Sequence, residues 1–252
     1  MILESHLVSG AWAEPQVAPF SGDWDDMEPT MAPDGSFLVF ASNRPIADGG
    51  KAIDGNYNGK VVSAGGGNLW RVDRKDNKWG KPFRLPSTIN DGTATFSPSI
   101  AADGSIYFMK PDTKSGYFHL YRSQHRGGAY LPAVRVGVGT DQTEDVDPAV
   151  SADESFLVYS SNQPTEHGPK RLKIVFRQKD GWGAPRDLGD QVNEQGSNIE
   201  ARLSPDGKTL YFSTNTVPPV SYPRSAEEAK RSLRQMEVWA NGSENIWYVS
   251  LP

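Results

Sequence analysis

The stretch Glu28-Pro-Thr-Met-Ala-Pro-Asp34-Gly-Ser-Phe-Leu-Val-Phe40 decides the fold, because the chain returns to it three more times. The later copies are Ser97-Pro-Ser-Ile-Ala-Ala-Asp103-Gly-Ser-Ile-Tyr-Phe108, Asp147-Pro-Ala-Val-Ser-Ala-Asp153-Glu-Ser-Phe-Leu-Val-Tyr159 and Glu200-Ala-Arg-Leu-Ser-Pro-Asp206-Gly-Lys-Thr-Leu-Tyr-Phe212. Their aspartates stand 69, 50 and 53 residues apart. Two further families of segments keep phase with them. One is Trp12-Ala-Glu-Pro, Trp79-Gly-Lys-Pro, Tyr130-Leu-Pro and Trp182-Gly-Ala-Pro; the other is Asn68-Leu-Trp-Arg-Val-Asp73, Phe118-His-Leu-Tyr-Arg122, Arg171-Leu-Lys-Ile-Val-Phe176 and Asn245-Ile-Trp-Tyr-Val249.

Each unit therefore reads as four short strands, a to d. Strand a ends in a Pro-Asp-Gly-type turn, in which Pro presets φ and Asp bonds the following backbone. Strand b is a continuous apolar run such as Phe37–Phe40, as expected where both faces are covered. Polar turns such as Lys75-Asp76-Asn77-Lys78 join c to d. Four strands per unit at this period is the pattern of propeller blades. The expected fold is an all-β propeller of four-stranded antiparallel blades with one short helical insertion. Its divisions are a partial blade 1–22, blades 23–88, 89–138 and 139–190, and a last blade 191–252 that carries the insertion 216–244. The chain opens on a c–d pair and closes on a c strand. It thus reads as four blades with an extra strand, Trp12–Ala18 completing the last blade, or as five blades lacking the start of the first.

The Glu-Pro-x-hydrophobic-Ala/Ser-Pro-Asp-Gly turn, the Phe/Tyr-rich strand after it and Ser42-Asn43-Arg44 resemble the TolB-type, WD-like propeller repeat. Glu154 in place of the turn Gly, Ser97 in place of the leading acid and Ala201 in place of Pro depart from it. The resemblance implies a non-enzymatic interaction module in a periplasmic or secreted setting. No signal peptide is recognisable at Met1-Ile-Leu-Glu-Ser-His, which has neither a cationic start nor a long apolar stretch.

Composition narrows the function. The 26 basic and 31 acidic residues leave a net charge of −5 without a basic run, so no nucleic-acid footprint exists. No apolar stretch approaches a membrane span. The absence of Cys removes disulfides, thiolate nucleophiles and zinc–thiolate sites. No Gly-x-Ser-x-Gly elbow accompanies the four histidines (His6, His119, His125, His167), which share no metal spacing.

Strand parity places the d-to-a and b-to-c connections on one face of each blade. On that face the entries to strand a are acidic or amide-rich: Asp23-Trp24-Asp25-Asp26-Met27-Glu28, Asp141–Asp147 and Asn193–Glu200. Residues two apart on a strand point the same way. Asp26 with Glu28, Asp145 with Asp147 and Asn198 with Glu200 are therefore expected to present paired oxygens near a channel mouth, with Trp24 beside them. Three uses compete. The acids cap backbone amides of the neighbouring blade, or they bind a ligand or a Ca²⁺ ion (Asp26, Glu28, Asp147 and Glu200 as donors), or two of them catalyse glycoside cleavage. Repetition of one motif argues for the first and against catalysis, which needs two differently tuned groups.

Two b-to-c insertions share the face. Residues 46–67 hold seven glycines around Tyr57 and read as a flexible loop or lid; residues 216–244 turn helical after a Ser225/Glu228 capping box, with Ala229, Leu233 and Met236 as an apolar stripe expected to pack on the propeller. The leading expectation is a module that binds a protein or a glycan through this face, without nucleic acid and without a cofactor unless Ca²⁺ is held. The alternative is a carbohydrate-active enzyme, glycoside hydrolase or polysaccharide lyase, using central-channel acids.

Overall fold

In the computed structural model, residues 1–57, 59–162, 168–193, 196–216, 222–235 and 243–251 are described. They form four propeller-blade sheets in two compact units, residues 1–136 and 137–252. His167, Glu194, Met236 and much of the second insertion lie outside the described residues.

The first unit holds blades I and II. In blade I, strand a (Asp26–Met31) pairs with b (Phe37–Ser42) and b with c (Asn68–Lys75); the outer strand is broken into Lys78–Trp79 and Phe83–Arg84. Pro82 lies at the break, since Pro cannot donate to a ladder. Blade II repeats the order with Phe96–Ile100, Ile106–Pro111, Phe118–Ser123 and Val134–Arg135. Val39, Ala41, Leu69, Leu85, Ile89, Ile106 and Phe108 form one buried cluster across both sheets. Upstream, Leu3–Glu4 pairs with Gln16–Val17, and Leu7–Val8 pairs with Ala11–Trp12. The strand expected to complete the last blade thus pairs with residues 3–4. Ile2, Ala18 and Phe20 pack on Leu38, Phe40 and Val72, while Trp79 Nε1 donates to Glu4 at 2.9 Å. Trp12, in contrast, is 73 % exposed and packs no blade.

The second unit holds blade III, with strands Glu144–Val150, Phe156–Asn162, Arg171–Gln178 and the split pair Gly181–Trp182 and Arg186–Asp187. It also holds blade IV, where Asn198–Leu203, Thr209–Thr214 and Asn245–Ser250 form a three-stranded sheet. Ala149, Leu172, Val192, Ala201 and Leu210 fill its core.

The repeated turn works as its residues dictate. Asp34, Asp103, Asp153 and Asp206 each accept the backbone N–H two residues on, at 2.8–3.1 Å. The next position is left-handed in all four, with φ of 71°, 83° and 69° at Gly35, Gly104 and Gly207 and 57° at Glu154. Glu154 holds a conformation that costs a side chain about 1 kcal/mol or more; Arg177 lies 3.7 Å from its carboxylate.

Both insertions carry local structure of their own. Residues 46–67 carry a hairpin, Gly55–Tyr57 against Lys60–Val62. Asn43 donates to the Ala64 carbonyl, Asp54 accepts the Ala64 N–H, and the Tyr57 hydroxyl donates to the Gly65 carbonyl. Local hydrogen bonds therefore give the Gly-rich loop a hairpin form. The helix forms at Ala226–Gln235 behind its capping box, with the Ser225 N–H and hydroxyl on Glu228. It does not bury the expected stripe, since Leu233 is 65 % exposed.

Candidate functional site

The acids expected to collar a channel are set by a bulge in strand a. Register shifts occur in all four blades, between Met27 and Thr30, Phe96 and Ser99, Val146 and Ala149, and Ile199 and Arg202. At each shift sits a left-handed residue other than Gly: Glu28 (φ 53°), Ser97 (46°), Asp147 (54°) and Glu200 (56°). A bulge residue escapes the two-residue alternation. Asp26 and Glu28, or Asp145 and Asp147, therefore meet different partners.

The bulge residues bond from blade to blade. The Glu28 carboxylate accepts the Ser97 N–H at 2.7 Å and its hydroxyl at 2.8 Å, and Asp147 accepts the Glu200 N–H at 3.0 Å. Glu200 itself accepts the Ser213 hydroxyl at 3.0 Å. The preceding acids are buried within their own blades. Asp26, 1 % exposed, takes a bidentate Arg44 at 3.0 and 2.8 Å and the Ser21 hydroxyl. Asp145, also 1 % exposed, takes the Ser161 and Thr143 hydroxyls at 2.7 and 2.9 Å. Asn198 is wholly buried. Trp24 is half-buried at its loop. Among the described residues no group of three or more His, Asp or Glu is arranged to hold a metal ion.

A second pair of braces was overlooked in the sequence. Asn90 accepts the Leu69 N–H at 2.8 Å and donates to the Leu69 and Leu85 carbonyls at 2.9 Å. Asn193 does the same to Leu172, at 2.9 and 2.8 Å. The signal was there in duplicate: Leu85-Pro-Ser-Thr-Ile-Asn90 and Leu188-Gly-Asp-Gln-Val-Asn193.

Open space lies elsewhere on the d-to-a and b-to-c face. A cleft of about 580 Å³ opens over blade II between its d-to-a loop (Asp91–Thr95), the end of its strand b (Lys110–Thr113), Tyr121 and Asn56 of the first insertion. Blade II is the unit in which Thr95 stands at the position of Asp26 and Asp145. Thr95 is 1 % exposed and its hydroxyl has no hydrogen-bond partner. Lys110 pairs with Asp91 and lies 4.5 Å from the centre of the Tyr121 ring. The Tyr121 hydroxyl donates to Asp112 at 2.9 Å. The Ser115 amide holds the Asp112 carboxyl down to about 2, helped by Tyr121, Lys114 and Arg135 against the opposing effect of burial. Burial, and then the Asp112 hydrogen bond, push the Tyr121 phenol up. Behind the cleft, buried His119 bonds Ser115 at 2.9 Å, and Arg135 reaches its ring at 3.1 Å. The cleft thus presents hydroxyls, an amide, an ammonium and two carboxylates beside Ala94 and Pro111.

Over 98 % of its length, the chain superposes on a TolB-type structure from Agrobacterium tumefaciens, with TM-score 0.54 at 13 % identity and 74 % of that chain covered. The fold is TolB-like. An α-L-arabinofuranosidase from Lactobacillus brevis superposes over 99 % of the chain and 71 % of its own, with TM-score 0.53 at 9 % identity. TolB from Acinetobacter baumannii matches over 84 % of the chain with TM-score 0.47 at 15 % identity; the chain spans only 42 % of it. No family model and no curated protein sequence matches the chain. At these identities the likeness concerns the fold alone, and propeller folds carry both binding and catalytic functions.

Proposed function

We propose that this TolB-like propeller is a binding module that takes an oligosaccharide in the cleft over blade II. One observation carries the reading: a cleft lined by donors and acceptors whose most buried member, the Thr95 hydroxyl, has no partner within the protein. A buried hydroxyl without a partner is unfavourable by about 1–3 kcal/mol, and a ligand hydroxyl removes that penalty on binding. Polyhydroxylated ligands suit the mixture of Asn56, Thr93, Asp91 and Lys110 around it.

Binding is favoured over glycoside chemistry by the state of the carboxylates. Those of strand a serve as hydrogen-bond acceptors for the blades. Asp112, with its carboxyl near 2, stays ionised and is a poor proton donor. The resemblance to TolB propellers supports a periplasmic or secreted setting, and no described helix is long and apolar enough to cross a membrane.

The test is titration of the full chain against an oligosaccharide panel, with product analysis of the same mixtures. Binding without cleavage is expected, weakened about tenfold or more by Thr95→Val, a change that conserves volume. Cleavage of any panel member, or affinity unchanged in Thr95→Val, overturns the proposal.

A further inference from the structure

Lys110 departs from a second repeated pattern. In blades I, III and IV the residue ahead of the bulge faces a hydroxyl on strand b: Asp26 faces Ser42, Asp145 faces Ser161 and Asn198 faces Thr214. In blade II, one step beyond the Phe96–Met109 pair, Thr95 faces Lys110. A cation therefore stands where the other blades use a small neutral side chain. The acid that answers it, Asp91, comes from the d-to-a loop.

The two charges are placed unequally in the cleft. The Asp91 side chain is 55 % exposed and that of Lys110 is 14 % exposed, so an arriving ligand meets the carboxylate first. Among the described residues Asp91 has no partner other than Lys110. Both keep capacity for a ligand, since an ammonium has three N–H donors and a carboxylate about four acceptor positions. The other acid of the cleft is already engaged. Asp112 Oδ1 accepts the Lys114 and Ser115 N–H groups at 2.9 and 3.0 Å, and its Oδ2 accepts the Tyr121 hydroxyl at 2.9 Å. The Tyr121 ring is engaged too, by Lys110 at 4.5 Å and by Phe108 at 6.2 Å between centres. Selective contacts with a ligand thus fall to the Lys110–Asp91 pair.

Resting on the oligosaccharide reading above, we infer that this pair reads two adjacent hydroxyls of a neutral sugar and excludes uronic acids. One hydroxyl donates to the Asp91 carboxylate, and its neighbour accepts from the Lys110 ammonium. Gauche hydroxyls on neighbouring carbons stand about as far apart as the two partners of a hydrogen-bonded ion pair. A ligand carboxylate instead meets Asp91 before it can reach Lys110, and like charges brought together lower affinity. The lining as a whole, one cation against two carboxylates, has the same sign as a uronate.

The test is calorimetric titration of the full chain with cellotetraose, mannotetraose and galactotetraose, each beside the same chain oxidised at C6 to the uronate. A neutral tetraose is expected to bind about tenfold or more tighter than its uronate at low salt, with the gap narrowing at high ionic strength. Asp91→Asn removes the leading charge and narrows the gap by strengthening uronate binding. Lys110→Met weakens the neutral ligand about tenfold. Asp91 is exposed, so its variant folds, as circular dichroism will verify. A uronate bound as tightly as its neutral counterpart, or a preference that Asp91→Asn leaves unchanged, overturns this inference and leaves the oligosaccharide reading standing. Failure of all six compounds to bind overturns both.

Discussion

Blades I and II are joined as blades III and IV are, and differ in what remains over. Each pair has one carboxylate reaching a bulge amide, Glu28 to Ser97 and Asp147 to Glu200. Each has one Asn clasping a strand c peptide, Asn90 on Leu69 and Asn193 on Leu172. In blade III the residue ahead of the bulge is Asp145, held by two hydroxyls; in blade II it is Thr95, held by none and lying under a cleft. The repeated residues hold the sheets together; the equivalent Asn198 of blade IV also has an unpartnered Oδ1, and it is the cleft that distinguishes Thr95.

The largest test of that equivalence is removal of a clasp. Asn90→Ala and Asn193→Ala each leave a buried N–H, of Leu69 or Leu172, without a partner while the carbonyl keeps its strand d N–H, a loss of about 2 kcal/mol, measured by urea denaturation. Equal losses support a shared brace, and a loss confined to one variant breaks the comparison. Glu28→Gln and Asp147→Asn keep the shape and remove the charge, for about 1–2 kcal/mol each. A channel ligand held by those carboxylates would instead leave stability unchanged and alter binding.

The smallest effect concerns blade II alone. The folded Asp112 carboxyl titrates at about 2, below its ordinary value of 3.8. Its contribution is therefore complete above about pH 4 and is lost as the pH falls toward 2. Asp112→Asn is expected to melt roughly 2 °C lower at neutral pH, with the gap closing between pH 4 and 2. A gap independent of pH refutes the assignment.

Much of the fold was legible from the turn at Asp34 and its three copies, because a Pro-Asp-Gly turn and an apolar strand are local consequences of local residues. The bulge was not legible. Glu28, Ser97, Asp147 and Glu200 share no residue type that favours positive φ, and a pairing frame two strands wide imposes their conformation. Period-two reasoning therefore aligned Asp26 with Glu28, whereas the structure turns them to different partners. The cleft was hidden for another reason: Asn56, Asp91, Thr95, Lys110 and Tyr121 come from separate segments and form no motif. Asn90 and Asn193 were within reach, since their five-residue spacing from Leu85 and Leu188 recurs.

The left-handed bulge also bears on how relatives of this protein should be compared. A position that must tolerate positive φ and also reach across to the next blade accepts few substitutions, so it will change slowly over evolutionary time. Acids invariant there in an alignment would stand out as unvarying carboxylates, the pattern usually taken for an active centre. At these positions such invariance records how paired blades are joined, Glu28 to Ser97 and Asp147 to Glu200, and selection on ligand chemistry is better sought at Thr95.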